Sequence, residues 1–201
     1  MKDGKVYRFG AHSRAFLDRA KVAIEKFKRE DDPQQLLIAA LMLRQGIEAR
    51  LFEYIEAELP ADSRKEKLAR ISDYQATKLL ARLTRMNPDA QREVQLRITS
   101  EQTGKAFGWR YTPVTDSLAR IHGRLGELLH NNYFRKNLYW FVADRLSGGG
   151  LPTLLHGQDL VEQGIAELSE ATSGTLLSHP QFKAAVQEIV EELDTEGTDA
   201  D

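Results

Sequence analysis

The sequence predicts a mainly α protein: an antiparallel helical bundle with one inserted β-hairpin and two further helices at its C-terminal end. Three observations carry this. Apolar residues recur at helical spacing over most of the chain. One window, 92–112, switches to a period of two. A composition of 41% hydrophobic and 29% charged residues is that of a chain able to bury a core.

Residues 11–30 place Phe16, Ala20, Ala23, Ile24 and Phe27 on one side of a first helix. The segment EDDPQQ separates it from a second, with Asp32 as N-cap and Pro33 at the first helical position. This second helix runs to about Leu59 and stops at Pro60; roughly 27 residues span about 40 Å. Its apolar face is set by Leu36, Ala40, Leu43, Ile47, Leu51 and Tyr54 and widened by Leu37, Leu41, Phe52 and Ile55. Two shorter helices follow, near 63–71 and 74–86. EVQLRIT and AFGWRYT then alternate aliphatic and aromatic residues with polar ones around SEQTGK, which predicts the hairpin. An isolated hairpin is marginal in water, so its aromatic face should pack on the helices or on a second copy.

Thr115 is the expected N-cap of a helix over 116–134. NLYWFVADRL predicts a further, aromatic-rich helix, SGGGLP a linker, and two helices and an acidic tail complete the chain. The organisation expected is a bundle over 1–146 with its hairpin near 92–112, a helical pair over 147–194 packed on it, and a disordered tail over 195–201.

A formal charge of −2 excludes a generic nucleic-acid glue; contact with RNA or DNA needs a local basic patch. The hairpin cations Arg97, Lys105 and Arg110 interleave with aromatics and suit either such a contact or a solvated face. The absence of cysteine removes disulfides, thiolate metal sites and cysteine nucleophiles. No signal-like apolar core opens the chain and no run of about 18 apolar residues occurs, so a cytoplasmic protein with no membrane contact is expected. HExxH, GxSxG and GxxxxGK[ST] are missing, and GGG at 148–150 lacks the Lys-Ser/Thr that would make it a phosphate loop. No cofactor and no metal are expected.

Two groups of polar residues stand out. Arg44 and Glu48 fall inside the wide apolar face of the second helix, where charges are costly unless hydrogen-bonded. They form either a shielded i,i+4 ion pair or the support of a polar site. On the 116–134 helix, Leu118, Ile121, Leu125, Leu128 and Leu129 make the apolar stripe, with His122 at its margin as a structural residue. Ala119, Gly123, Gly126 and His130 follow a 4-3-4 spacing, and Arg120, Arg124, Glu127 and Asn131 form a polar strip. Mid-helix glycines cost roughly 1 kcal/mol each, so a close neighbour is expected against the small-residue strip that His130 prolongs. His130 is then either satisfied by packing or a base at an interface.

A long helix with an embedded RxxxE, followed by GRLGELLHNN, resembles the HEPN superfamily of helical bundles over about residues 11–146. In that family an arginine, four to six residues and a histidine mark a ribonuclease site, matched here by Arg124 and His130. The resemblance implies a metal-independent endoribonuclease, a homodimer with a shared cleft, an RNA substrate, a toxin–antitoxin or anti-phage role, and a protein antitoxin or regulator as partner. His130 would move the proton, Arg124 would stabilise the phosphorane, and Arg120, Asn131 or Tyr133 would place the phosphate. The alternative is a non-catalytic module of the same shape that dimerises or docks a partner. It is favoured by the weak basic character, by Leu125 directly after the motif arginine, and by the two extra helices.

Overall fold

The computed structural model describes residues 12–60, 63–73, 75–99, 106–129 and 152–174. The helix expected over NLYWFVADRL, the glycine linker, the last helix and the acidic tail lie outside the described residues.

Six helices and one two-stranded antiparallel sheet are described: α1 (Ser13–Glu30), α2 (Pro33–Glu58), α3 (Arg64–Ala69), α4 (Ala76–Met86), β1 (Val94–Thr99), β2 (Ala106–Tyr111), α5 (Asp116–Leu129) and α6 (Pro152–Ser173). The protein is mainly α, as the periodicity predicts. Local chemistry sets the boundaries. Asp31 ends α1 in the left-handed region (φ 51°) and donates its N–H to Phe27 O at 2.8 Å. Asp32 then caps α2 by accepting from Gln34 N at 2.9 Å, with Pro33 as first helical residue. The two helices therefore fold back after a two-residue turn. Thr115 caps α5 through its Oγ1, which accepts from Leu118 N at 3.1 Å. Pro152 belongs to α6 as its first residue rather than to the preceding linker.

Around the bundle, α1 packs on α2, α2 on α5, α5 on α6 and α6 on α1. Contacts fix the directions. Arg14 meets Thr172 while Lys28 meets Glu162, and Ser117 meets Glu167, so α6 is antiparallel to both α1 and α5. The diagonal pair α2 and α6 also touch, running parallel. That contact needs small residues on both helices. A Cβ on Gly46 would stand 2.8 Å from Leu168 Cδ2, and one on Gly164 would stand 2.6 Å from Leu43 Cδ2. Helix α2 consequently lies at the centre, with Leu36, Leu43, Ile47, Leu51 and Ile55 fully buried. Leu160, Val161, Leu168 and Ala171 of α6 belong to the same core. Helix α6 is thus a full member of the bundle.

The hairpin pairs Val94 with Tyr111, Leu96 with Trp109 and Ile98 with Phe107. These are the two alternating sets of the sequence, brought opposite each other. At the base, Tyr111 is buried with its hydroxyl donating to Ala90 O at 2.7 Å and its ring 5.1 Å from that of Tyr54. The hairpin is thereby seated on the helices. Arg110 is held by Glu93 (2.8 Å) and by Glu170, which leaves its charge compensated and weakens the nucleic-acid reading for that residue.

Candidate functional site

The charges in the apolar face of α2 find their partner on α5. Glu48 Oε1 lies 2.6 Å from His122 Nε2 and 3.4 Å from Arg44 Nε. Arg44 Nε is also 3.2 Å from the same ring nitrogen. A carboxylate oxygen that close to an imidazole nitrogen requires a proton between them. Nε2–H is therefore assigned as donor to Glu48, and Arg44 pairs with the carboxylate. His122 is buried, whereas the Arg44 and Glu48 side chains keep 28% and 23% of their exposure. The arrangement is a histidine oriented from inside the bundle by a carboxylate, beside a guanidinium that still reaches solvent.

Arg44 also accounts for one of the helix glycines. A Cβ on Gly126 would stand 2.9 Å from Arg44 Nη1, whereas none of the described residues comes within 4 Å of one on Gly123. Of the two glycines, Gly126 is the one at which a described residue supplies the close neighbour expected along the small-residue strip. At about 100° per residue, Gly126 lies about 40° from His122, and the sequence places His130 four residues beyond it. The guanidinium that meets this strip belongs to Arg44.

Arg124 and Arg120 sit elsewhere. Both are exposed, and Arg124 is about 160° around the helix from His122. Arg120 lines an open cleft of about 590 Å³ between α4 and α5, with Thr77, Thr84 and Asp116. His130, Asn131 and Tyr133 lie outside the described residues. The structure thus joins Arg44 and Glu48 from the candidate set, adds His122, and turns Arg120 and Arg124 outward. His122 had no local signal; its partner is 74 positions away.

A second polar cluster was not singled out by the helical pattern. Arg50 is buried, and its guanidinium donates to Ala171 O (2.9 Å), Glu53 Oε2 (3.1 Å) and Tyr54 OH (2.8 Å). Glu53 in turn accepts from Ser13 N and Ser13 Oγ, each at 2.7 Å. It therefore serves the α1 N-terminus, where His12 supplies no side-chain cap. Tyr54 donates to Thr112 O. Arg14 donates to Thr172 O at 2.8 Å, which places a second cation at the carbonyl end of α6. Burial raises the Tyr54 and Tyr111 hydroxyls above the ordinary phenol range; Arg50 beside Tyr54 opposes this without cancelling it. The cluster ties α1, α2, the hairpin end and α6 together, and its groups satisfy one another.

Among the described residues no group of three or more His, Asp or Glu gathers as a metal site, and no helix is long and apolar enough to cross a membrane. Comparison with family models, with curated proteins and with solved structures returns no match.

Proposed function

We propose that this protein is a HEPN-like, metal-independent endoribonuclease, a homodimeric toxin or anti-phage effector answering to a protein antitoxin or regulator. The observation that supports it best is the half-open Arg44 guanidinium over Gly126, held by a carboxylate that also orients His122. In this reading Arg44, beside the strip that His130 prolongs, shares the charge-stabilising role with Arg124. The ribose 2′-oxygen attacks the adjacent phosphorus while its proton passes to His130. Charge on the phosphorane is met by guanidinium donors. The P–O5′ bond breaks, the 5′-oxygen takes up a proton, and a 2′,3′-cyclic phosphate remains. Arg120, Arg124, Asn131 and Tyr133 serve the RNA backbone and the face toward the second copy.

Two observations favour the alternative of a non-catalytic docking module. His122 is buried with its contacts directed inward, and Arg124 points away from the Arg44 cluster. Cleavage of total RNA in EDTA separates the two. The expected losses are at least 100-fold for His130→Ala and about 100-fold for Arg44→Ala, in line with single general-base and charge-stabilising groups. A smaller loss, under about tenfold, is expected for Arg124→Ala, because Arg44 remains as the other charge-stabilising group. Wild-type protein that leaves RNA intact, or folded His130→Ala and Arg44→Ala variants that cleave as wild type, would sink the ribonuclease reading.

A further inference from the structure

The near-neutral total charge hides a strong asymmetry. Residues 63–92 carry eight Lys or Arg against three Asp or Glu, whereas residues 181–201 carry one Lys against seven Asp or Glu. The basic stretch builds one wall of a cleft of about 410 Å³ between the C-terminal end of α2, α3 and α4. Its rim holds Lys67, Arg70, Arg82 and Arg85. Arg70 is paired with Glu66; among the described residues Lys67, Arg82 and Arg85 enter no ion pair. Its floor is apolar, built on Leu59, Ile71 and Met86, and Met86 keeps 38% of its exposure.

A floor of aliphatic side chains inside a cationic rim fits an acidic amphipathic helix. It fits a nucleic-acid strand less well, since strand binding uses aromatic platforms for the bases and none of the described residues lining this cleft is aromatic. The chain itself contains such a segment. In QFKAAVQEIVEELD, Phe182, Val186, Ile189 and Leu193 follow a 4-3-4 spacing on one helical face, and Glu188, Glu191, Glu192 and Asp194 lie off that face. The position where α6 ends is also favourable. Gly174 N is hydrogen-bonded to Thr112 Oγ1 at 3.1 Å, and Thr112 O accepts from Tyr54, the residue before Ile55 in the cleft wall. The six residues from 175 to 180 span up to about 20 Å when extended, enough to turn the acidic segment onto this end of the bundle.

We infer that residues 181–194 dock as an amphipathic helix into the α2–α3–α4 cleft of the same chain, apolar face down and carboxylates on the Lys67–Arg70–Arg82–Arg85 rim. The inference is independent of the ribonuclease reading, because it concerns a different face and requires no cleavage. The absence of native cysteine makes the test clean. In the full-length protein the pair Met86→Cys and Ile189→Cys is oxidised at low protein concentration, beside the control pair Val22→Cys and Ile189→Cys, Val22 being 59% exposed on α1. The expected result is an intramolecular disulfide forming at least tenfold faster in the Met86 pair. The advantage should shrink several-fold in 1 M salt or with Arg82→Glu and Arg85→Glu added. Equal rates in the two pairs, or cross-linking only between chains, would overturn the inference. So would a short single-stranded RNA that binds through Arg82 and Arg85 without altering the cross-linking rate, since the cleft would then be a nucleic-acid surface.

Discussion

Replacing Arg50 by methionine tests the buried cluster most directly, because it keeps the unbranched stem and helix propensity and deletes only the guanidinium. Arg50 is 2% exposed and makes three directed hydrogen bonds, each charge-assisted; such bonds contribute about 1.5–3 kcal/mol apiece. The gross sum overstates the loss, since methionine needs no desolvation of a cation. What the substitution strands is limited. Glu53 keeps both bonds from Ser13, Ala171 O keeps Thr112 Oγ1 at 3.0 Å, and Tyr54 OH keeps Thr112 O. The Glu53 side chain, at 18% exposure, is left as a half-dry carboxylate without its cation. The expected cost is therefore about 3 kcal/mol, the low end of the range for breaking a buried pair. For a chain of this size that corresponds to roughly 6–12 °C in Tm. Adding Glu53→Gln to Arg50→Met should recover about 1 kcal/mol, a coupling of the size seen within one ionic network. Urea unfolding followed by far-UV circular dichroism, with the m-value checked for constancy, reads both numbers. A single-variant cost below about 1 kcal/mol, or strict additivity in the double variant, would refute the claim that this arginine anchors the cluster.

The raised hydroxyls of Tyr54 and Tyr111 give the protein an alkaline limit. Both stay neutral in the fold while unfolded tyrosines ionise near pH 10, so stability is fully present below pH 10 and falls above it. The slope is about 1.4 kcal/mol per pH unit per tyrosine. Urea midpoints at pH 8, 10 and 11, with absorbance at 295 nm counting ionised phenols, check this; all six tyrosines titrating near pH 10 in the folded protein would contradict it. The helix glycines should respond in opposite directions. Gly123→Ala is expected to stabilise by about 0.5–1 kcal/mol through helix propensity, with no described atom in the way. Gly164→Ala is expected to destabilise by about 1 kcal/mol, because overpacking against buried Leu43 and Ile121 outweighs the same propensity gain. Thermal unfolding of both variants decides, and a common sign would show that the α2–α6 contact does not depend on close approach.

What the sequence made legible follows from the range over which each signal acts. Asp32 and Thr115 cap helices through bonds from backbone two or three residues away, and Pro33 suits the first helical position by its fixed φ, so a short window contains the whole interaction. The hairpin needs only the alternation of two neighbouring strings around a turn; its register comes from the structure. Arg44 and Glu48 were readable as an anomaly for a different reason. A charge inside an apolar stripe must be compensated, and their spacing reveals half of that compensation. The other half, His122, sits on α5, and nothing within a turn of it names Glu48. The same rule applies to Arg50, which stands three residues after Ile47 and four before Tyr54 in the same stripe. Its partners are one backbone carbonyl, one phenol hydroxyl and one carboxylate drawn from α2 and α6, and the helical pattern alone does not single it out. Gly126 and Gly123 make the point in reverse. Both weaken the helix equally by composition, yet among the described residues a side chain approaches only Gly126, and that side chain is Arg44. The motif spacing alone selects Arg124 as the partner of His130. The packing brings a different guanidinium to the glycine strip on which the sequence sets that histidine, and the comparison of Arg44→Ala with Arg124→Ala is where the two assignments part.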